Sequence, residues 1–388
     1  MHPPQPLDGV SPELWLLDPT WSFLNAGSFG LRLREVYEAR LALLGQMDTQ
    51  PVEFLERTAP PLWERARAAL ADFVSADVEG LGFVANATEG IDAVLVDASI
   101  RDGRVLVGDQ AYGAVKAASQ WGANLGSGHV EEVNIPLPVE KVEDVVAMWD
   151  AALADGAALA IVDHVTSGTA LVQPVAEIVQ RCRAHDVPVL IDGAHAPGLL
   201  DLDIAAIGAD WYVGNLHKWV GAPSGAGFIW TAPQHRDRTR PLALSHECAD
   251  SYEAAFMWQG TRDVTPWLVL PEAIQAVSNR WGWTALRQWQ HEMAMWSCAQ
   301  LVEALGTEPS DGTGGKMTAA MTSVRIPGEP WKQWADRFAM RDAIASRHKI
   351  ELAIDDLAGA WWVRLSMGPW VQPEEIGRAA DAVKECLV

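Results

Sequence analysis

Between residues 81 and 230 the chain alternates short apolar runs with amphipathic stretches, and this alternation limits the possible folds more than any other feature. GFVA (82–85) precedes a helical pattern near 88–98, and RVLVG (104–108) precedes one near 113–122. ALAIVD (158–163) and PVLID (188–192) flank a helix whose apolar face is Val175, Ile178, Val179 and Cys182, spaced i, i+3, i+4, i+7. WYVGN (211–215) and AGFIW (226–230) add two strands. Repetition of strand, helix, strand predicts βαβ units and a mainly parallel sheet covered by helices on both faces. Beyond about residue 266 the text turns to long helices rich in Trp and Ala, with TSVRIP (322–327) and WWVRLS (361–366) as strand candidates. The expected organisation is a large α/β domain over 31–265 and a smaller α+β domain over 266–388, which residues 1–30 join.

Composition excludes several classes of function. A formal charge of −22, spread along 388 residues, repels phosphate backbones and argues against nucleic-acid partners. No apolar window has the length of a membrane span. MHPPQPLDGV (1–10) has neither the basic stretch nor the apolar run of a signal peptide, and the four cysteines include no CxxC pair. The expectation is reduced thiols in a cytoplasmic protein. Among nineteen tryptophans, singles such as Trp331 and Trp334 on a helical face are expected in the core.

In such a sheet, ligands bind at the loops that follow the strands. Four of these junctions carry polar residues in apolar surroundings. ANATEG (85–90) ends a strand and opens a helix, where free N–H groups and the Thr88 hydroxyl could hold a phosphate. Taken alone, Asn86 or Thr88 is as readily a helix N-cap. DHVTSG (163–168) is the second junction. LIDGAHAPG (190–198) places Asp192 at a strand end, where a buried carboxylate needs a cationic or hydrogen-bonding partner. The fourth, GNLHKWVGAPSG (214–225), contains Lys218, one of only seven lysines, between apolar neighbours. A lysine so placed suits a desolvated amine of lowered pKa that forms a Schiff base. An amine for an imine, a carboxylate for a pyridinium nitrogen and a phosphate cup at a helix N-terminus are together what pyridoxal phosphate requires. No metal site is expected: His291-Glu292 lacks the second histidine of HExxH, and His246 and Cys248 have no nearby partners. GxSxG, GxxxxGK[ST] and a strand-following GxGxxG are all missing.

Ten ordered blocks then carry a resemblance: FLNAGSFG (23–30), QPVEFLER (50–57), FVANATEGIDAVL (83–95), DQAYGAV (109–115), HVTSGTALVQPV (164–175), IDGAHAPG (191–198), GNLHKWVGAPSG (214–225), WQGTRD (258–263), HKIEL (348–352) and VRLS (363–366). The chain resembles the class V aminotransferase-like, fold-type I pyridoxal-phosphate enzymes, and within them the isopenicillin N epimerase-like branch. The resemblance implies a seven-stranded-type sheet and assigns residues. Lys218 would form the imine and shuttle the Cα proton, and Asp192 would pair with the pyridinium nitrogen. Tyr112 would stack on the ring, with His195 and Ser167 at its hydroxyl side. Ala87, Thr88, Asn215 and His217 would hold the phosphate, joined by Thr261 from the other subunit of a homodimer with shared active sites. Arg364 would clamp the substrate carboxylate, with Asn25 and Ser28 at the substrate mouth.

The text departs from the family pattern at Ala26, Gln110 and Trp370-Val371, all expected near the substrate. The resemblance therefore implies an intact cofactor site with an altered substrate pocket. The expected activity is chemistry at Cα of a modified or peptide-like amino acid through an external aldimine and a carbanion. C–S β-elimination or epimerisation in specialised metabolism is favoured over oxidative or decarboxylative deamination, transamination or a non-catalytic cofactor-binding role. HKIELAIDDLAGAWWVR (348–364) contains no cysteine, which argues against persulfide-based sulfur transfer.

Overall fold

The computed structural model describes residues 2–387, except the side chains of residues 98 and 99. A two-residue strand, β1 (Ser22–Phe23), comes first. It is followed by β2 (Leu81–Val84), β3 (Arg104–Gly108), β4 (His129–Val133), β5 (Leu159–Asp163), β6 (Val189–Gly193), β7 (Trp211–Asn215) and β8 (Gly227–Thr231). These last seven form one sheet in the order β2-β8-β7-β6-β5-β3-β4. Strands β4, β3, β5, β6 and β7 run parallel, while β8 lies antiparallel to both β7 and β2. The α/β architecture expected from the alternating text is thus present. Every residue of β5, β6, β7 and β8 is buried, as continuous apolar runs require when helices cover both faces. Strand β4, HVEEV, lies at the sheet edge with three of its residues exposed, so no apolar run marks it.

Sequence order along the sheet reverses at β3, which has β4 on one side and β5 on the other. This is a topological switch point, where the loops leaving neighbouring strands diverge and open a crevice. The helix Gly113–Asn124 starts there, just after Tyr112. The helix Ala87–Leu95 follows β2 and brings its first turn to the same cavity, N-capped by Asn86, whose side chain accepts from the Glu89 N–H.

A second, antiparallel sheet has the order β11-β12-β9, from β9 (Met321–Arg325), β11 (Ala353–Leu357) and β12 (Ala360–Ser366). A short strand, β10 (Ile350–Glu351), pairs in parallel with β1. Leu24 continues this link, donating its N–H to Glu351 O and accepting from Ser366 N–H. The early segment is thereby wedged between two late ones, and residues 25–30 are carried to the crevice. One core lies around the large sheet, with Phe83 stacked on Trp267 at 5.8 Å between ring centres. A second gathers Trp289, Trp296, Met340, Ile344, Trp361 and Val363 around the small sheet. Trp334 packs against this second core and donates to Cys386 O. Trp331 touches this core only edge-on, at 6.5 Å from the Trp361 ring centre: it sits in the short turn opened by Pro330, and 42% of it is exposed.

Candidate active site

Strand β7 ends at Asn215, and the chain turns back to β8 through Leu216–Ala226, closed by Leu216 N–H to Ala226 O and Ala222 N–H to Leu216 O. Lys218 projects from this turn into a cavity of about 460 Å³ at the switch point. Residues 25–30 press on the turn from outside. Gly30 has φ +71°, and a Cβ there would lie 1.8 Å from His217 O, so only glycine permits this approach.

Lys218 Nζ lies 3.1 Å from His195 Nε2, and the Trp219 indole donates to His195 Nδ1 at 3.4 Å. An indole N–H can only donate, so Nδ1 is the accepting nitrogen and a neutral imidazole carries its proton on Nε2. That proton points at Lys218, which can accept it only as the free amine. Electrostatics agree: burial, then the nearby Arg364 guanidinium, bring the lysine down to about 7 against the pull of Asp192. Burial likewise holds His195 well below its ordinary value and keeps it neutral. Sequence reasoning passed over Trp219, although its place next to the lysine was a visible signal.

Asp192 is the last but one residue of the buried strand β6, and its Oδ1 accepts from the Ala194 N–H at 2.9 Å. Asp163, its register partner on β5, lines the same cavity. Burial, then the Asp192 charge, push Asp163 well above the carboxylate range. Burial raises Asp192 as well, opposed by the Ala194 N–H and Lys218. Neither acid forms an ion pair among the described residues. Such a carboxylate is suited to a cationic ring nitrogen that enters the cavity.

Arg364, at the centre of the buried strand β12, reaches across to the large sheet's loops. Its Nη1 donates to Ser167 O at 2.6 Å, and Nη2 donates to Asn25 Oδ1 at 2.9 Å and Ser28 Oγ at 3.2 Å. Ser28 Oγ in turn donates to Asn25 Oδ1, which locks the holder. All these partners are neutral, and Arg364 Nε is buried without a hydrogen bond. Only 2% of the residue is exposed. A buried guanidinium without a carboxylate is costly, and its fork matches a ligand carboxylate in two bonds.

At the third corner, Asn215 Oδ1 accepts from Ala87 N–H at 2.8 Å, tying β7 to the first turn of the helix Ala87–Leu95. Thr88 lines the cavity beside it. His217 holds Nδ1 against Ala226 O at 3.0 Å, and burial lowers it to about 4. A helix start, a free amine, a buried carboxylate pair without an ion-pair partner and an unpaired guanidinium surround one volume. This set fits pyridoxal phosphate, which has a phosphate, a carbonyl and a ring nitrogen to match.

Twelve of the expected site residues line this cavity: Asn25, Ser28, Ala87, Thr88, Tyr112, Ser167, Asp192, His195, Asn215, His217, Lys218 and Arg364. Thr261 lies elsewhere, exposed in an apolar groove with Val52, Leu55, Met257 and Trp258. The three departures expected to shape the substrate pocket do not line it. Ala26 is buried, and Trp370 packs edge-on against Trp15 while donating to Phe23 O. Gln110 bridges Ile135 O and the Thr169 hydroxyl in the interior. All three are framework residues, because their side chains satisfy buried neighbours instead of facing the cavity. Arg337, Phe338, Arg341 and Ile354 form the outer wall instead. The signal that could have found them is RFAMR (337–341), two arginines in the opening turns of a helix.

Comparison with known proteins agrees with this geometry. The family profile Aminotransferase class-V matches residues 35–378. The chain belongs to the class V aminotransferase family. It is 30% identical to the isopenicillin N epimerase of Amycolatopsis lactamdurans, over 95% of this chain and 96% of that one. It is also 30% identical to a probable chloroplastic L-cysteine desulfhydrase of Arabidopsis thaliana, over 94% and 83%. A solved structure of a C-DES variant with glycine covalently linked to its PLP cofactor superposes with a TM-score of 0.81 at 20% identity, covering 94% and 96% of the two chains. The fold is therefore that of the fold-type I enzymes, and the chain is a pyridoxal-phosphate enzyme of this family. No helix among the described residues is long and apolar enough to cross a membrane.

Proposed function

We propose that the protein acts at Cα of an amino acid carrying a sulfur-linked or peptide-like side chain, by C–S β-elimination or by epimerisation. The observation that carries this reading is the convergence of a free-base Lys218, an unpaired Asp192 and an unpaired Arg364 on one cavity. The relatives support the reaction class, since their names cover epimerisation and desulfhydration.

When bound, pyridoxal phosphate supplies an electron sink that weakens the bonds at a substrate's Cα. Lys218 would hold it through Nζ and, once released, take up and return the Cα proton. Asp192 would face the ring nitrogen, with Asp163 beside it. Tyr112 would cover a ring face, and His195 and Ser167 would flank the ring hydroxyl. The Thr88 N–H and hydroxyl, with Asn215 and His217, would take the phosphate, joined by the Ala87 N–H once Asn215 releases it. Arg364, held by Asn25 and Ser28, would fix the substrate carboxylate and so decide which Cα bond is aligned for cleavage. Thr261 would act in the site of a partner copy, and the apolar groove around it would be covered in that homodimer.

Two measurements test this. Protein incubated with pyridoxal phosphate should turn yellow, with a band that borohydride fixes and Lys218→Ala lacks; a colourless wild type overturns the reading. In deuterated water, a panel of S-conjugated cysteines and peptide-like amino acids should give either pyruvate with a thiol or deuterium at Cα. Carbon dioxide with oxygen uptake as the main outcome contradicts it.

A further inference from the structure

The outer wall of the cavity, away from Lys218, carries two arginines, Arg337 and Arg341, with Asp355 beside Arg337. It is made by the start of the helix Arg337–His348, which has no acid in its first turn. Cations there oppose the helix dipole, and the N-cap Asp336, whose side chain accepts from the Ala339 N–H, offsets part of that cost. The two arginines are held as a stack: Arg337 lies 4.3 Å and Arg341 5.0 Å from the centre of the Phe338 ring. Arg337 is further fixed by Ile354 O and Asp355 Oδ1, both at 2.7 Å. Arg341 is different. Its Nε and Nη2 both reach a single oxygen of the adjacent, exposed Asp342, a pair that water screens and that contributes little. Its Nη1 makes no hydrogen bond among the described residues. Beside it, the cavity mouth exposes 46% of Phe338 and 78% of Phe29, so charge and apolar surface adjoin.

We infer that Arg341, braced by Phe338 and Arg337, binds a second acidic group at the far end of the substrate's side chain, across an apolar arm lying on Phe338 and Phe29. Arg364 takes the α-carboxylate and Arg341 the distal acid, so the substrates are amino acids with acid-tipped, apolar S- or acyl-extensions. The inference rests on the proposed function and names its substrate class.

The test uses holoenzyme and the α-methyl derivatives of S-carboxybenzyl-cysteine and its carboxamide isostere. Having no Cα proton, these report binding alone, by calorimetry. The acid should bind about tenfold more tightly than the carboxamide, the size of one charge-assisted contact. Added salt should narrow that gap in the wild type. Arg341→Gln should abolish it while leaving carboxamide affinity within about twofold, and Arg341→Lys should restore part of it. Equal binding of acid and carboxamide, binding of neither, or a gap that survives Arg341→Gln overturns the inference. So does a change in light-scattering mass in Arg341→Gln with the gap intact, which would make the stack part of a subunit contact. A wild type that never takes up the yellow band fails the proposed function itself; a yellow enzyme without the gap fails only this inference.

Discussion

The two sides of the cavity are built in opposite ways. On the inner side, Lys218, Asp192, His195 and Asn215 leave the ends of adjacent, fully buried strands, and each is held by a hydrogen bond at close range. On the outer side, Arg337, Phe338 and Arg341 ride on one helix beside the small sheet, part-exposed, with the two arginines against the Phe338 ring and paired to Asp355 and Asp342. The inner side can hold a group of fixed shape because strand register leaves its residues little freedom. The outer side can change with substrate because a surface helix tolerates substitution. Arg364 links the two, rooted in the small sheet and bonded to Ser167 O of the large one.

Substitutions should separate the two sides by size of effect. Lys218→Ala should reduce turnover by at least about 10³-fold, because both the holding group and the proton carrier are lost. Arg364→Gln should lower kcat/KM by about 10²-fold while the visible band stays, since two charge-assisted contacts are removed from the substrate and none from the cofactor. Retained kcat/KM in that variant would move the carboxylate site elsewhere. Trp219→Phe should leave turnover at high pH within about tenfold. It should, however, raise the pH midpoint of cofactor uptake above about 7, because His195 can then turn its proton to Nδ1 and accept from a lysine ammonium. An unchanged midpoint would remove the indole from that role.

The smallest effect concerns the apoprotein. Unfolded, the lysine keeps its proton up to 10.5; folded, only up to about 7. Between these values the unfolded chain binds more protons, so wild-type stability rises with pH across the window. Below about 7 the penalty of the buried amine is complete. Apo Lys218→Met should therefore melt higher than apo wild type at neutral and lower pH, with the advantage fading towards 10.5. Parallel melting curves at all pH values would show that the amine is well solvated.

Much of the inner side was legible in the text because each of its residues lies within a few positions of a strand end, and apolar runs mark strand ends. The runs 104–108 and 211–215 match β3 and β7 residue for residue. Strand β4 escaped because an edge strand need not be apolar, and β11, AIDDL, because only part of it is buried. Gln110 shows the opposite error. Its place in a block next to Tyr112 suggested a substrate contact, yet the side chain turns inward to Ile135 and Thr169.

The sequence by itself determined the α/β class, the cofactor and the place of Lys218 in a strand-end turn, because period and turn chemistry are local and the family's blocks are contiguous. Only the tertiary structure decided that Asp163 stands beside Asp192, that Trp219 sets the proton on His195, and that Arg337, Phe338 and Arg341 close the outer wall. These are contacts between side chains on different elements, up to hundreds of positions apart. Their distances depend on strand register and on how one sheet packs against another, and no local pattern carries that information.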